Sequence, residues 1–212
     1  MTWREQYPNS GIRKPGQSSP GSGTTPTLFG SGYVAITDNA DPMNVVVYRR
    51  AATVKKSRLV CMQPVFEKGA GATDNSLIGI DHSLVVENNY GYSGLTATAN
   101  GATTSPGIER VDVSDSGRCR SVWQSPEIAP SVVPKLSLAT GLVYTYTKPA
   151  GPNDPWYFTA IDFRSGQTIY KRLAGTGLGF NNNYAPVTLG PDGTAYVGVL
   201  AGLVSLRDSS AP

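Results

Sequence analysis

Side chains that carry out most enzymatic chemistry are scarce in this chain. Histidine occurs once, at His82, and cysteine twice, at Cys61 and Cys119, in 212 residues. One histidine and two isolated cysteines lack any zinc-ligand spacing and argue against a structural zinc. An excess of one charge is missing too. The net charge of +3 is too small to argue for nucleic acid or an anionic membrane as partner. The only basic concentration, Arg49, Arg50, Lys55, Lys56 and Arg58, reads as a solvated loop between strands. No stretch is long and apolar enough to cross a bilayer, and residues 1–20 lack the apolar run of a signal peptide. Helical periodicity is absent. No nucleophile elbow or phosphate-cradling loop stands before a helix. Gly175-Thr176-Gly177-Leu178-Gly179 looks superficially like such a loop but reads as a linker. His82, in the turn Asp81-His82-Ser83, reads as a solvated turn residue rather than a general base.

Glycine and proline are abundant instead, 24 and 16 residues, which suits many turns. Between them lie short β-branched and aromatic runs. The clearest unit spans Ser131 to Gly175. It contains Val132–Leu138, Leu142–Thr147, Trp156–Ile161 and the alternating Gln167–Arg172, with turn residues between: four short antiparallel strands. Its second strand recurs as Gly32–Thr37, Ser83–Asn88, Leu142–Thr145 and Ala195–Gly198. The second residues of these copies, Tyr33, Leu84, Val143 and Tyr196, are 51, 59 and 53 residues apart. A strand-built period near fifty residues signals radial repetition. A single such sheet cannot bury both faces, so the copies must stack around an axis. The expected fold is all-β, a β-propeller of four-stranded antiparallel blades with about four blades in this chain.

Ala160-Ile161-Asp162-Phe163-Arg164-Ser165-Gly166-Gln167-Thr168-Ile169-Tyr170 resembles the A-x-D-x-x-T-G-K-x-x-W repeat of quinoprotein-like (PQQ-repeat) propellers, with Tyr170 in the tryptophan position. Val111 to Trp123 is similar, with two extra residues, and Ala185 to Gly198 is similar to the opening half of a repeat. This resemblance implies a propeller and, since such propellers are commonly exported by bacteria, a periplasmic or extracellular parent protein. The adjacent-cysteine pair of many quinone-dependent dehydrogenases is absent, which argues against bound PQQ.

In chain order, residues 1–8 read as the outer strand of an incomplete blade, with Trp3 placed where Trp123 and Tyr170 sit. Residues 9–25 form a connector, flexible or draped. Residues 26–68, 76–125 and 131–175 are three blades, and 183–208 is a three-stranded incomplete one. Either the two ends complete one blade and close a four-bladed ring, or the chain is a piece of a longer propeller; the second reading is favoured. A piece would present open blade edges able to associate. The long segment Asn89–Gly107 reads as a disordered rim loop. Cys61 and Cys119 fall on outer strands of neighbouring blades, expected to splay beyond the roughly 7 Å Cα separation that a disulfide tolerates, so reduced thiols are expected.

Two polar clusters follow equivalent strands and should emerge on one end of the ring. They are Asp38 and Asn39 after the first, and Glu87, Asn88 and Asn89 after the second. Together their oxygens would suit Ca2+, which takes six to eight hard ligands. The pattern is similar to calcium-dependent lactonase and paraoxonase-like propellers. Strand-end capping by Asp and Asn is the plainer explanation, and the third and fourth copies offer Thr147 and Leu200 instead. Tyr90, Tyr92, Asn182 and Tyr184 are candidates for holding a ligand or partner at the same mouth. Two functions follow: a non-catalytic binding or scaffold module for an unknown small molecule or protein, or a calcium-dependent hydrolase.

Overall fold

The computed structural model describes residues 2–208. Fifteen strands among them form four antiparallel sheets, each pairing its strands in chain order. The first holds β1 (Thr27–Phe29), β2 (Tyr33–Thr37), β3 (Asn44–Arg49) and β4 (Leu59–Pro64). The second holds β5 (Ile78–Ile80), β6 (Ser83–Glu87), β7 (Ile108–Val113) and β8 (Cys119–Ser125). The third holds β9 (Lys135–Ser137), β10 (Leu142–Thr147), β11 (Pro155–Asp162) and β12 (Thr168–Thr176). The fourth holds three strands, β13 (Val187–Leu189), β14 (Ala195–Val199) and β15 (Gly202–Leu206). The recurring second strand of the sequence is β2, β6, β10 and β14.

The alternation of side chains along a strand explains why the sheets stack face to face. In β6, Leu84 and Val86 join the core that holds Val45 and Val47 of the first sheet. Val85, between them, joins the core that holds Val143, Phe158 and Val187 of the third and fourth. Both faces of the second sheet are therefore apolar and covered. These four sheets are propeller blades.

One irregularity repeats. In each of the three four-stranded blades the outer strand carries a bulge, skipping Val60, Val122 and Ile169 opposite the third strand. A bulge reverses which face the following residue takes. That residue is Cys61, Trp123 or Tyr170, and each is aimed at the next blade. Trp123 Nε1 donates to Phe163 O at 2.8 Å, and its indole lies on Gly166, where an added Cβ would come within 2.6 Å of the ring. Gly166 also has φ of +73°, so this turn needs glycine for two reasons. Tyr170 borders, with Leu189 and Leu206 of the fourth blade, a gap of about 210 Å³.

The bulge also corrects the expectation for the cysteines. Cys61 occupies the position of Trp123 and Tyr170, pointing across rather than outward. It forms a disulfide with Cys119, with Cα atoms 5.7 Å apart. A covalent bridge thus stands where an indole docks in the following pair of blades.

Three further expectations change. Residues 2–8 form no strand; Trp3 instead packs on Tyr48 with ring centroids 6.5 Å apart, and the Arg58 guanidinium lies 4.4 Å over its ring. Arg58 is not solvated: it is buried and donates to the carbonyls of Arg49, Ala51 and Ala52 at 2.7, 2.6 and 3.2 Å, closing the turn before β4. Asn89–Gly107 is no loose rim. It contains a 3-10 turn at Leu95–Thr98, and the amides of Asn100 and Gly101 donate to Asp154 at 2.9 and 2.7 Å. Fully buried Lys148 pairs with the same carboxylate at 2.8 Å.

Candidate functional site

The connections after each blade's second strand and those between blades emerge on one end of the molecule, because equivalent strands run the same way. The connector before β1 lies on that end as a strap. Its residue Asn9 bridges Asn39, and Ser18 N and Oγ each donate to Asp74 at 2.7 Å. The strap is draped and held, not free.

Each residue of the proposed calcium set is buried and hydrogen-bonded within the protein. Asp38 accepts from the amides of Ala40 and Asn44 at 3.1 and 2.8 Å and from Asn44 Nδ2 at 2.7 Å. Burial raises its pKa, and the Asn44 hydrogen bonds oppose that rise. Asn39 Nδ2 donates to Asn9 Oδ1 and Ile12 O at 3.0 and 2.9 Å. Asn88 accepts from Ala72 N and Tyr90 N and donates to Ala70 O and Pro106 O. Asn89 accepts from Thr73 Oγ1 and donates to Ala129 O. Glu87 faces the third blade, where Thr145 Oγ1 donates to it. Full burial pushes its pKa well above the usual range, and the Thr145 hydrogen bond opposes that rise.

These partners belong to different segments, and most of the side-chain oxygens are engaged by them; Asn39 Oδ1 and Glu87 Oε2 are buried without a partner. The cationic role near Asp38 and Asp41 is filled from within: Lys14 Nζ donates to Ala40 O and Gly71 O. Its ammonium feels both carboxylates, although burial is the larger effect and lowers its pKa. Among the described residues no group of three or more His, Cys, Asp or Glu is placed to hold a metal ion.

The second candidate set is drawn together, in part. Tyr92 and Tyr184 meet edge to face with centroids 5.3 Å apart. Tyr92 OH donates to Asn181 Oδ1 and Asn183 Oδ1 at 2.9 and 3.2 Å. Tyr184 OH donates to Gly16 O of the strap at 3.3 Å, and its pKa is pushed up to about 12, first by burial and then by Asp74 and Tyr92. Burial likewise raises the pKa of Tyr92, against its hydrogen bond to Asn181. Asn183 and Tyr184 have φ of +41° and +69°, a left-handed pair that costs energy for residues with side chains. Asn182 sits behind them, accepting from Ser131 Oγ at 2.9 Å. Tyr90 lies apart, in a smaller pocket of about 200 Å³ beside Lys14 and Asp41.

Between the strap, the loop at Tyr92–Leu95 and the loop at Asn183–Tyr184 lies a cleft of about 610 Å³. That volume lies within the usual range of small-molecule sites. Tyr92, Tyr184, Arg13, Leu95, Pro15 and Asp74 supply its chemistry. Sequence reasoning missed Arg13, Lys14 and Asp74. The strap's glycine, serine and proline content signals a linker, and nothing local shows that Lys14 is half-buried or that Arg13 borders a cleft.

No protein-family model matches the chain. An uncharacterized protein of Archaeoglobus fulgidus is 27% identical over 235 aligned positions, covering 97% of this chain and 45% of that protein. Among solved structures, BamB of Moraxella catarrhalis matches with a TM-score of 0.57 at 12% identity, over 87% of this chain and 49% of its own. The periplasmic gluconolactonase PpgL of Pseudomonas aeruginosa gives 0.48 at 14%, over 84% and 47%. The chain thus spans about half the length of the proteins it resembles. The likeness to BamB shows the fold, a β-propeller.

Proposed function

We propose that this part of the protein is a ligand-binding module, with its seat in the cleft between the strap and the loops of the second and fourth blades. The supporting observation is the aromatic pair Tyr92–Tyr184, clamped by Asn181, Asn183 and Gly16 across segments far apart in sequence. Rigid aromatic walls lower the ordering cost of binding, and the strained backbone at Asn183–Tyr184 is the kind of outlier that clusters at ligand clamps. The hydrolase alternative gains no support from the positions of Asp38, Asn39, Glu87, Asn88 and Asn89. Export is supported by the Cys61–Cys119 disulfide, since such bonds persist in oxidising compartments.

The test is a fragment screen followed by amide chemical shifts. Ligands should perturb residues 13–18, 92–95 and 183–184 as one group. Shifts scattered over the blades, or none from a diverse library, would reject the cleft as a binding seat.

A further inference from the structure

The cleft's charged groups are not equally available, and their arrangement limits what it can hold. Asp74 turns away. Its Oδ2 is taken by Ser18 N and Oγ, while its buried Oδ1 faces Gly23, where an added Cβ would lie 2.1 Å from it. Lys14 is spent on Ala40 O and Gly71 O. Arg13 is the exception. Its Nε donates to Gln17 O at 2.9 Å, which orients the guanidinium, and its two terminal nitrogens have no protein partner among the described residues. Gln17 is itself buried and fixed: its amide donates to Lys14 O at 3.0 Å and its Oε1 accepts from Lys14 N at 3.2 Å. The arginine fork is therefore presented from a closed turn rather than from loose chain. The same cleft carries partly exposed apolar surfaces, Tyr184 at 36% and Leu95 at 39%.

A guanidinium with two unpartnered, coplanar donor groups matches the two oxygens of a carboxylate. An aromatic ring and a leucine match an apolar body. Resting on the cleft being the binding seat, the geometry points to a ligand class: a carboxylate attached to an apolar or aromatic group, its oxygens on Arg13 and its body against Tyr184 and Leu95. Two sources share this chemistry, a free organic acid and the C-terminus of a peptide. The cleft is large enough for either.

The experiment uses four probes on the whole chain, followed by calorimetry and amide shifts. They are 3-phenylpropanoate, its amide, an N-acetylated tetrapeptide ending in phenylalanine as the free acid, and the same peptide as its C-terminal amide. An acid should bind at least about ten-fold tighter than its amide, the scale of one charge-assisted contact. Arg13→Gln, an exposed site whose change leaves the core untouched, should abolish that difference. Whichever acid binds more tightly identifies the source. Acid and amide binding equally, with shifts still at residues 92–95 and 184, would overturn the carboxylate assignment and leave the cleft standing. No shift there from any probe would overturn both.

Discussion

Burial decides the chemistry of Glu87, whose Oε1 accepts from Thr145 while its Oε2 has no partner. A carboxyl in that position stays protonated in the fold because its charged form is poorly solvated. Its folded pKa lies above its unfolded one. Its contribution to stability is therefore complete below the ordinary carboxyl pKa and declines as pH rises toward the folded value. Glu87→Gln keeps an acceptor for Thr145 and removes the proton linkage. We expect the variant to be more stable than the parent at pH 7 and close to it at pH 4. Between these, the stability difference should grow by up to about 1.4 kcal/mol per pH unit. Urea unfolding across that range measures it, and parallel curves would show that Glu87 is not held neutral. The sequence showed a strand-end polar cluster at 87–89, but not its partners. Thr145 lies 58 residues away and Ala129 lies 40 away from Asn89. Residue types were readable there; the bonds that occupy them were not.

At the level of elements, the strands were readable because turn residues and β-branched runs alternate so regularly. The bulges were not. A skipped residue leaves the strand's composition unchanged, yet the bulge at Val60 turns Cys61 toward Cys119. A local signal did exist, since Cys61 holds the register position of Trp123 and Tyr170, but it emerges only once the ladders are aligned. The bridge closes a separation of 58 residues, for which chain-entropy arguments give about 4 kcal/mol and engineered cases often less. Reduction, or the double variant Cys61→Ser/Cys119→Ser, should lower stability by about 2–4 kcal/mol. An unchanged denaturation midpoint in reductant would mean that the first two blades are held by their apolar contact alone. The strap shows the same limit in another form. Its composition announced a connector, while its anchoring depends on Asp74, Asn39 and Gly71, none of them near it in sequence.

For the whole molecule, the fifty-residue recurrence was sufficient to read the propeller, because repetition constrains architecture more tightly than any single strand does. The three seams between blades nevertheless differ in kind. The first is covalent at Cys61–Cys119. The second is an indole donating to Phe163 O and resting on Gly166. The third has Tyr170 beside a gap of about 210 Å³. Strength should fall in that order, and local opening follows the weakest contacts. Amide hydrogen exchange should therefore release β13–β15 well before β2, β3, β6 and β7; equal protection across all four blades would contradict the ranking. If the order holds, the array opens first across its third seam, at the rib formed by β13–β15. Tyr184, on the loop leading into that rib, would then couple any occupant of the cleft to whether the rib stays shut.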